Sequence, residues 1–217
     1  RWELAGQNVT KDISAEYHDF DPIKGKTIRT LAIVPRAFLA FDHANYLVSA
    51  GRSANIQIQV KSNTAIKSAS LRLGLPEGFK SEPASLPIFD LEENKNYTFN
   101  FLVTANQNAL NGKITASLQE AQHISSHFSQ EINYQHIPFQ YLFTPASAQL
   151  ISSPVLCKAQ KVAYIAGAGD LTKQAIQQLG VQVTSVPTNA LMSFDYKNYD
   201  AVILGVRAYN TVTEIDH

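Results

Sequence analysis

The sequence predicts a mainly β protein, an antiparallel β-sandwich followed by the opening of a parallel α/β unit. Three observations carry this. Up to about residue 145, apolar and polar residues alternate with period two, and Pro- and Gly-containing turns separate the alternating runs. After Pro154 the pattern changes to unbroken apolar runs joined by a helical stretch. Alternation of the first kind belongs to half-buried antiparallel strands, and apolar runs of the second kind belong to parallel strands covered on both faces.

The alternating runs come in order. In Ala54-Asn55-Ile56-Gln57-Ile58-Gln59-Val60 the aliphatics share one face and the amides the other. Ala69-Ser70-Leu71-Arg72-Leu73-Gly74-Leu75 repeats the pattern, Tyr97-Thr98-Phe99-Asn100-Phe101 puts three rings on one face, and Lys113-Ile114-Thr115-Ala116-Ser117-Leu118 is the fourth case. Leu75-Pro76-Glu77-Gly78-Phe79 supplies a fixed φ and a permissive one for a turn, and 106–112 is another polar break. One sheet leaves all these apolar faces wet, so a second sheet must cover it.

The expected boundaries are 1–27, 28–150 and 151–217. Ile13, Ala15 and Tyr17 alternate with polar residues, and Asp21-Pro22-Ile23-Lys24-Gly25-Lys26 is turn-rich. Residues 1–20 read as a terminal strand or hairpin of a preceding domain with 21–27 as a linker, or else as edge strands of the same sandwich. In the third region, Lys161-Val162-Ala163-Tyr164-Ile165-Ala166 is a strand ending in Gly167-Ala168-Gly169-Asp170. Leu171 to Leu179 has helical spacing with Gly180 as its stop, and Val181 to Val186 is a second strand. The run Tyr199 to Val206 is a third strand, expected to be buried on both faces. A wound sheet needs more elements than 151–217 supplies, so this unit is expected to be truncated. The chain opens at Arg1-Trp2-Glu3 without a methionine, and its start is likewise expected to be a cut.

Composition bounds the chemistry. In 217 residues, 18 Lys and Arg balance 18 Asp and Glu, which removes the electrostatic case for nucleic acid or an anionic membrane. No apolar run approaches the roughly 20 residues that cross a bilayer. The single cysteine, Cys157, has no internal partner and reads as a buried apolar residue.

Two segments have the residue types of a binding site. Gly167, Gly169 and Asp170 stand between a strand and a helix, where glycines admit a ligand and the helix start offers N–H groups. The third glycine of a dinucleotide fingerprint and a phosphate-loop lysine are missing, so a tight turn with Asp170 as helix cap is the stronger reading. Arg207, Tyr209 and Asn210 follow the third strand at its carboxyl end, where open α/β sheets bind ligands. Arg207 reads equally as a partner for a carboxylate elsewhere. No catalytic set is visible, since no serine stands in a Gly-x-Ser-x-Gly elbow. His123 and His127 lie in a strand-like segment, where residues four apart are separated by about 13 Å, too far for one zinc ion. His18-Asp19-Phe20-Asp21 lacks a third convergent ligand, so no metal is expected. The aromatics alternate with polar residues and read as core, without an exposed platform for sugar.

Leu4 to Thr10, Tyr17 and Asp21-Pro22-Ile23-Lys24-Gly25 resemble the end of one sandwich and the link to the next in large bacterial proteins of the PIG-L (LmbE-like) deacetylase family. Leu75-Pro76-Glu77-Gly78-Phe79-Lys80 with Glu82-Pro83 resembles the LPEGW-x-x-x-P turn of their immunoglobulin-like domain, itself similar to sandwiches attached to glycosidases. His136-Ile137-Pro138-Phe139-Gln140 resembles the segment leaving that sandwich. Tyr164 to Asp170 and Leu204 to Thr211 resemble the start of a C-terminal domain similar in fold to class I glutamine amidotransferases and flavodoxin.

The resemblance implies a non-catalytic structural and interaction region of a multidomain N-acetyl-sugar deacetylase, in the periplasm or outside the cell. It would space domains of the same polypeptide and contact glycan. The zinc hydrolase domain it implies carries a Pro-His-Pro-Asp-Asp-type motif that this sequence does not contain, so no catalytic residue and no cofactor is carried over. The alternative is a small-ligand-binding module at the carboxyl ends of the α/β strands.

Overall fold

A computed structural model describes residues 2–4, 6–10, 15–22, 25–134, 137, 139–155 and 157–212. Two hairpins come first, β1 (Trp2–Leu4) with β2 (Gln7–Val9) and β3 (Glu16–Asp21) with β4 (Gly25–Thr30), each a two-stranded antiparallel sheet. Of the stretch 21–27, expected as a linker, Asp21 ends β3 and Gly25 to Thr27 begin β4, with residues 23 and 24 outside the described ones. Asp, Pro and Gly mark a tight turn as readily as a linker, and only the pairing partner tells them apart.

The sandwich comes next. Its strands are β5 (Ala37–Phe41), β6 (Asn45–Leu47), β7 (Ser53–Ser62), β8 (Ile66–Gly74), β9 (Phe79–Glu82), β10 (Leu86–Leu91), β11 (Asn96–Ala105), β12 (Gly112–Glu120), β13 (His123–Ser125), β14 (His127–Ile132), β15 (Gln140–Pro145) and β16 (Ser147–Ile151). One sheet has the order β5-β7-β11-β9. The other runs β10-β8-β12-β16-β6, with β13 added beside β12. All these pairs are antiparallel except β16 with β6, which is parallel. β14 and β15 form a separate ribbon lying against β5, where Phe143 stacks on Phe38 with ring centroids 5.8 Å apart. Pro87, which has no N–H to give a further neighbour, sits in the edge strand β10.

The alternation in sequence becomes the two faces of the sheets. Ile56, Ile58 and Val60 on β7 are fully buried with Phe101 and Val103 on β11, while Asn55 and Gln59 are exposed. Leu71, Ile114, Leu118 and Leu150 close the core from the second sheet. Arg36, just before β5, donates to Glu120 at the end of β12 in the other sheet, from Nε at 2.6 Å and from Nη2 at 3.2 Å.

The α/β unit comprises β17 (Lys161–Ile165), α1 (Thr172–Gln178), β18 (Gln182–Val186), two short 3₁₀ turns (Thr188–Ala190 and Tyr196–Asn198), β19 (Ala201–Leu204) and α2 (Ala208–Thr211). The strands are parallel in the order β18-β17-β19, so β17 is central and buried from Val162 to Ile165. Among the described residues β19 is an edge strand, and Val202 on it is 47% exposed. That corrects the expectation of a third strand buried on both faces, because an apolar run does not reveal whether a strand is central or marginal. Cys157 is likewise exposed, not buried, in the coil between β16 and β17.

Candidate functional site

The strand order places a topological switch between β17 and β19. α1 carries the chain from β17 to one side, and the connection after β18 returns it to the other. All six residues singled out in the sequence lie at the carboxyl ends of these two strands. The two loops close directly on each other there. Ala168 N–H donates to the Val206 carbonyl at 2.8 Å, and Gly205 N–H donates to the Ile165 carbonyl at 2.8 Å. A Cβ on Gly167 would lie 2.1 Å from the Val206 carbonyl oxygen, so only glycine permits this approach.

Asp170 locks the junction. Its Oδ1 accepts from Tyr164 Oη at 2.7 Å and from Thr172 N–H at 2.9 Å, while Oδ2 accepts from Val206 N–H at 2.6 Å. The Tyr164 hydroxyl, then Thr172 and Val206, hold its carboxyl down at about 2. Burial pushes the Tyr164 phenol up to about 12, and the bond to Asp170 adds to the rise. Asp170 thus serves the first turn of α1 as expected of a cap, although the residue at the helix boundary is Leu171. Its larger role is to tie two strand ends that are 36 residues apart.

Arg207, Tyr209 and Asn210 continue outward from this junction, each exposed. Arg207 adopts a left-handed backbone with φ of 59°, a conformation an arginine holds at a cost. Gly169, also at positive φ, is exposed on the opposite loop. The junction therefore offers exposed polar groups around a closed backbone contact. Tyr164 and Gly205 are the residues missed in the sequence. The available signal was a tyrosine inside a buried aliphatic run, whose hydroxyl needs a partner.

The other residue groups lie apart from this junction. His123 and His127 fall on strands β13 and β14, both exposed. No group of three or more His, Cys, Asp or Glu is arranged to hold a metal among the described residues. No helix among them is long and apolar enough to cross a membrane. The aromatics are not all core. Tyr17, Phe20, Phe89 and Tyr134 are each more than half exposed, because alternation does not say which strands a second layer covers.

A second meeting of elements joins the α/β unit to the sandwich. β6 is the edge of its sheet, and its even-numbered backbone groups face β16, as Gln149 N–H to Ala44 and Val48 N–H to Ile151 show. The outward groups of Asn45 and Leu47 are taken by the side chain of Gln178 on α1. Its Oε1 accepts from Leu47 N–H at 3.0 Å and its Nε2 donates to the Asn45 carbonyl at 3.2 Å. One amide side chain thus pairs with the sheet edge as a neighbouring strand would.

No protein-family model matches the chain, and no curated protein matches it. Among solved structures, 57% of the chain is similar to 93% of a protein described by "AvmM Catalyzes Macrocyclization in Alchivemycin A Biosynthesis", at 9% identity and a TM-score of 0.33. Over 63% of its length it is similar to 11% of Escherichia coli alpha-2-macroglobulin activated by porcine elastase, at 13% identity and a TM-score of 0.31. Likeness at this level carries no functional conclusion.

Proposed function

We propose that the chain is a structural and interaction region of a multidomain deacetylase of the PIG-L (LmbE-like) type, acting in the periplasm or outside the cell. In this reading the sandwich spaces the domains of one polypeptide and contacts glycan, and hydrolysis belongs to a separate zinc-bearing domain. The observation that carries it is the Gln178 bridge, which fixes the α/β unit on the edge of a sandwich with a closed core. A spacer needs such a defined joint, because a flexible one would not set the orientation of the next domain. The motif resemblances supply the family. The test is to incubate the purified chain with zinc and an N-acetyl sugar. No acetate release is expected, and turnover would refute the scaffold reading.

A second reading is a small-ligand module at the carboxyl ends of β17 and β19. The strained backbone of Arg207 beside exposed Tyr209 and Asn210 favours it. Thermal shifts against sugars, nucleotides and phosphates test it, and unchanged affinities in Arg207→Ala would end it.

A further inference from the structure

β14 and β15 form a two-stranded sheet, and β15 leaves one edge of it open among the described residues. Ala146 N–H donates to the Ser126 carbonyl one step beyond the ribbon, in the same register. The even-numbered residues of β15 are therefore the ones that bond to β14, and the N–H and carbonyl groups of Tyr141 and Phe143 point outward. Among the described residues nothing hydrogen-bonds to those outward groups. Two other edges of the molecule are blunted, β6 by the Gln178 side chain and β10 by Pro87. β15 carries no charge from Gln140 to Pro145, and its proline comes only at the end.

A cleft of about 430 Å³ opens at Tyr141, between β15 and the base of the β3–β4 hairpin. Tyr17, Leu31, Val34, Phe139 and Tyr141 give it apolar walls, and Tyr17 and Leu31 are each more than half exposed. Phe143 stacks on Tyr141 with ring centroids 5.9 Å apart, so the two rings make one face of β15. A strand added along the open edge lays every second side chain on that same face, in line with Tyr141 and the cleft. An apolar cleft alone would suit a lipid or a sugar as well. The open edge decides for a peptide, whose backbone offers the matching donors and acceptors while the cleft selects a side chain.

Charge narrows the peptide further. Glu16, 3.2 Å from His18 Nε2, is the one charged residue among the described lining of the cleft. Glu131 stands opposite Tyr141 on β14, exposed and without an ion pair among the described residues. Basic side chains beside the apolar one answer these carboxylates, whereas the uncharged β15 of a second copy would not. We infer that β15 and its cleft bind an extended segment of a partner protein, with an apolar side chain flanked by lysine or arginine. The inference stands on the edge and the cleft and is independent of the family reading.

The experiment is an NMR titration of the full chain with the capped peptide Lys-Thr-Ile-Thr-Lys, which puts Ile and both Lys on one face. The amides of Tyr141 and Phe143 should shift with a dissociation constant on the order of 1 mM. In antiparallel addition the residue opposite Tyr141 shares its face and donates its own N–H, so N-methylation of the Ile should weaken binding roughly tenfold. Exchanging both Lys for Glu, or Tyr17→Ala in the protein, should weaken it several-fold. The peptide comparisons use the unaltered chain and stand whether or not Tyr17→Ala folds. The inference is overturned if these amides do not shift up to about 10 mM, or if the N-methylated or Glu-flanked peptide binds as well. It is also overturned if a folded Tyr17→Ala chain binds unchanged. Shifts of the same amides with protein concentration alone would assign the edge to a second copy and overturn it too.

Discussion

The sandwich and the α/β unit bury their apolar residues in different ways. The sandwich closes two sheets over one core, with Leu39, Ile56, Ile58, Phe101, Val103 and Leu150 all fully buried. Among the described residues the α/β unit has a three-stranded sheet and a smaller buried cluster, Ala163, Ile165, Val186, Leu191 and Val212, with Phe194, Tyr196, Tyr199 and Leu204 packed against it. α1 spans 7 residues and has no buried side chain, far short of the length at which a helix stands alone. What the α/β unit lacks in packing is offset by fixed polar contacts, with Asp170 across its strand ends and Gln178 on the sandwich. The difference teaches that, among the described residues, one region closes its own core and the other leans on polar clasps.

The largest way to break this contrast is to open the sandwich core. Phe101→Ala should cost about 3–5 kcal/mol and lower the melting transition of the sandwich. Ile165→Ala should cost about 2–5 kcal/mol of local stability. Hydrogen exchange should place that loss in β17 and β18 and leave β7 and β11 protected. Gly167→Ala forces the backbone off the Val206 carbonyl and should cost about 1–3 kcal/mol, again confined to the α/β unit.

Acid should separate the two regions more gently. The Asp170 carboxyl, held at about 2, lies below the ordinary aspartate value of about 3.9. Its contribution is therefore complete above the ordinary value and is lost as pH falls toward 2. Asp200, lowered by the N–H groups of Lys161 and Gln160, adds in the same direction at the start of β17. The Arg36–Glu120 pair of the sandwich is partly exposed and should matter little. Amide protection followed as pH falls from about 4 to 2 should thus be lost in the α/β unit while β7 and β11 keep theirs, and Asp170→Asn should remove most of that pH dependence.

Much of the sandwich was legible in the sequence because one face of β7, β8, β11 and β12 is buried and the other is wet, and period-two alternation records that directly. The three-residue strands β6 and β13 are too short to alternate, and the parallel pairing of β6 has no local signal. In the α/β unit the order of strand, helix and strand was readable, but not which strand lay at the edge. Asp170 was readable as a cap because Thr172 is close to it in sequence. Its bond to Val206 was not, since nothing near either residue encodes a contact across the sheet. Gln178 was invisible for the same reason. A glutamine on a helix surface becomes specific only when an unpaired sheet edge lies opposite.

The dependence of the α/β unit on its joint is tested most directly by native-state hydrogen exchange on Gln178→Ala beside the unaltered chain. Losing two hydrogen bonds worth about 1 kcal/mol each should speed exchange of Val162 to Ile165 by roughly tenfold or more, with β7 and β11 unchanged. Equal protection in both chains, or an equal loss across sandwich and α/β unit, would contradict the account of a sandwich that closes its own core and an α/β unit that leans on polar clasps.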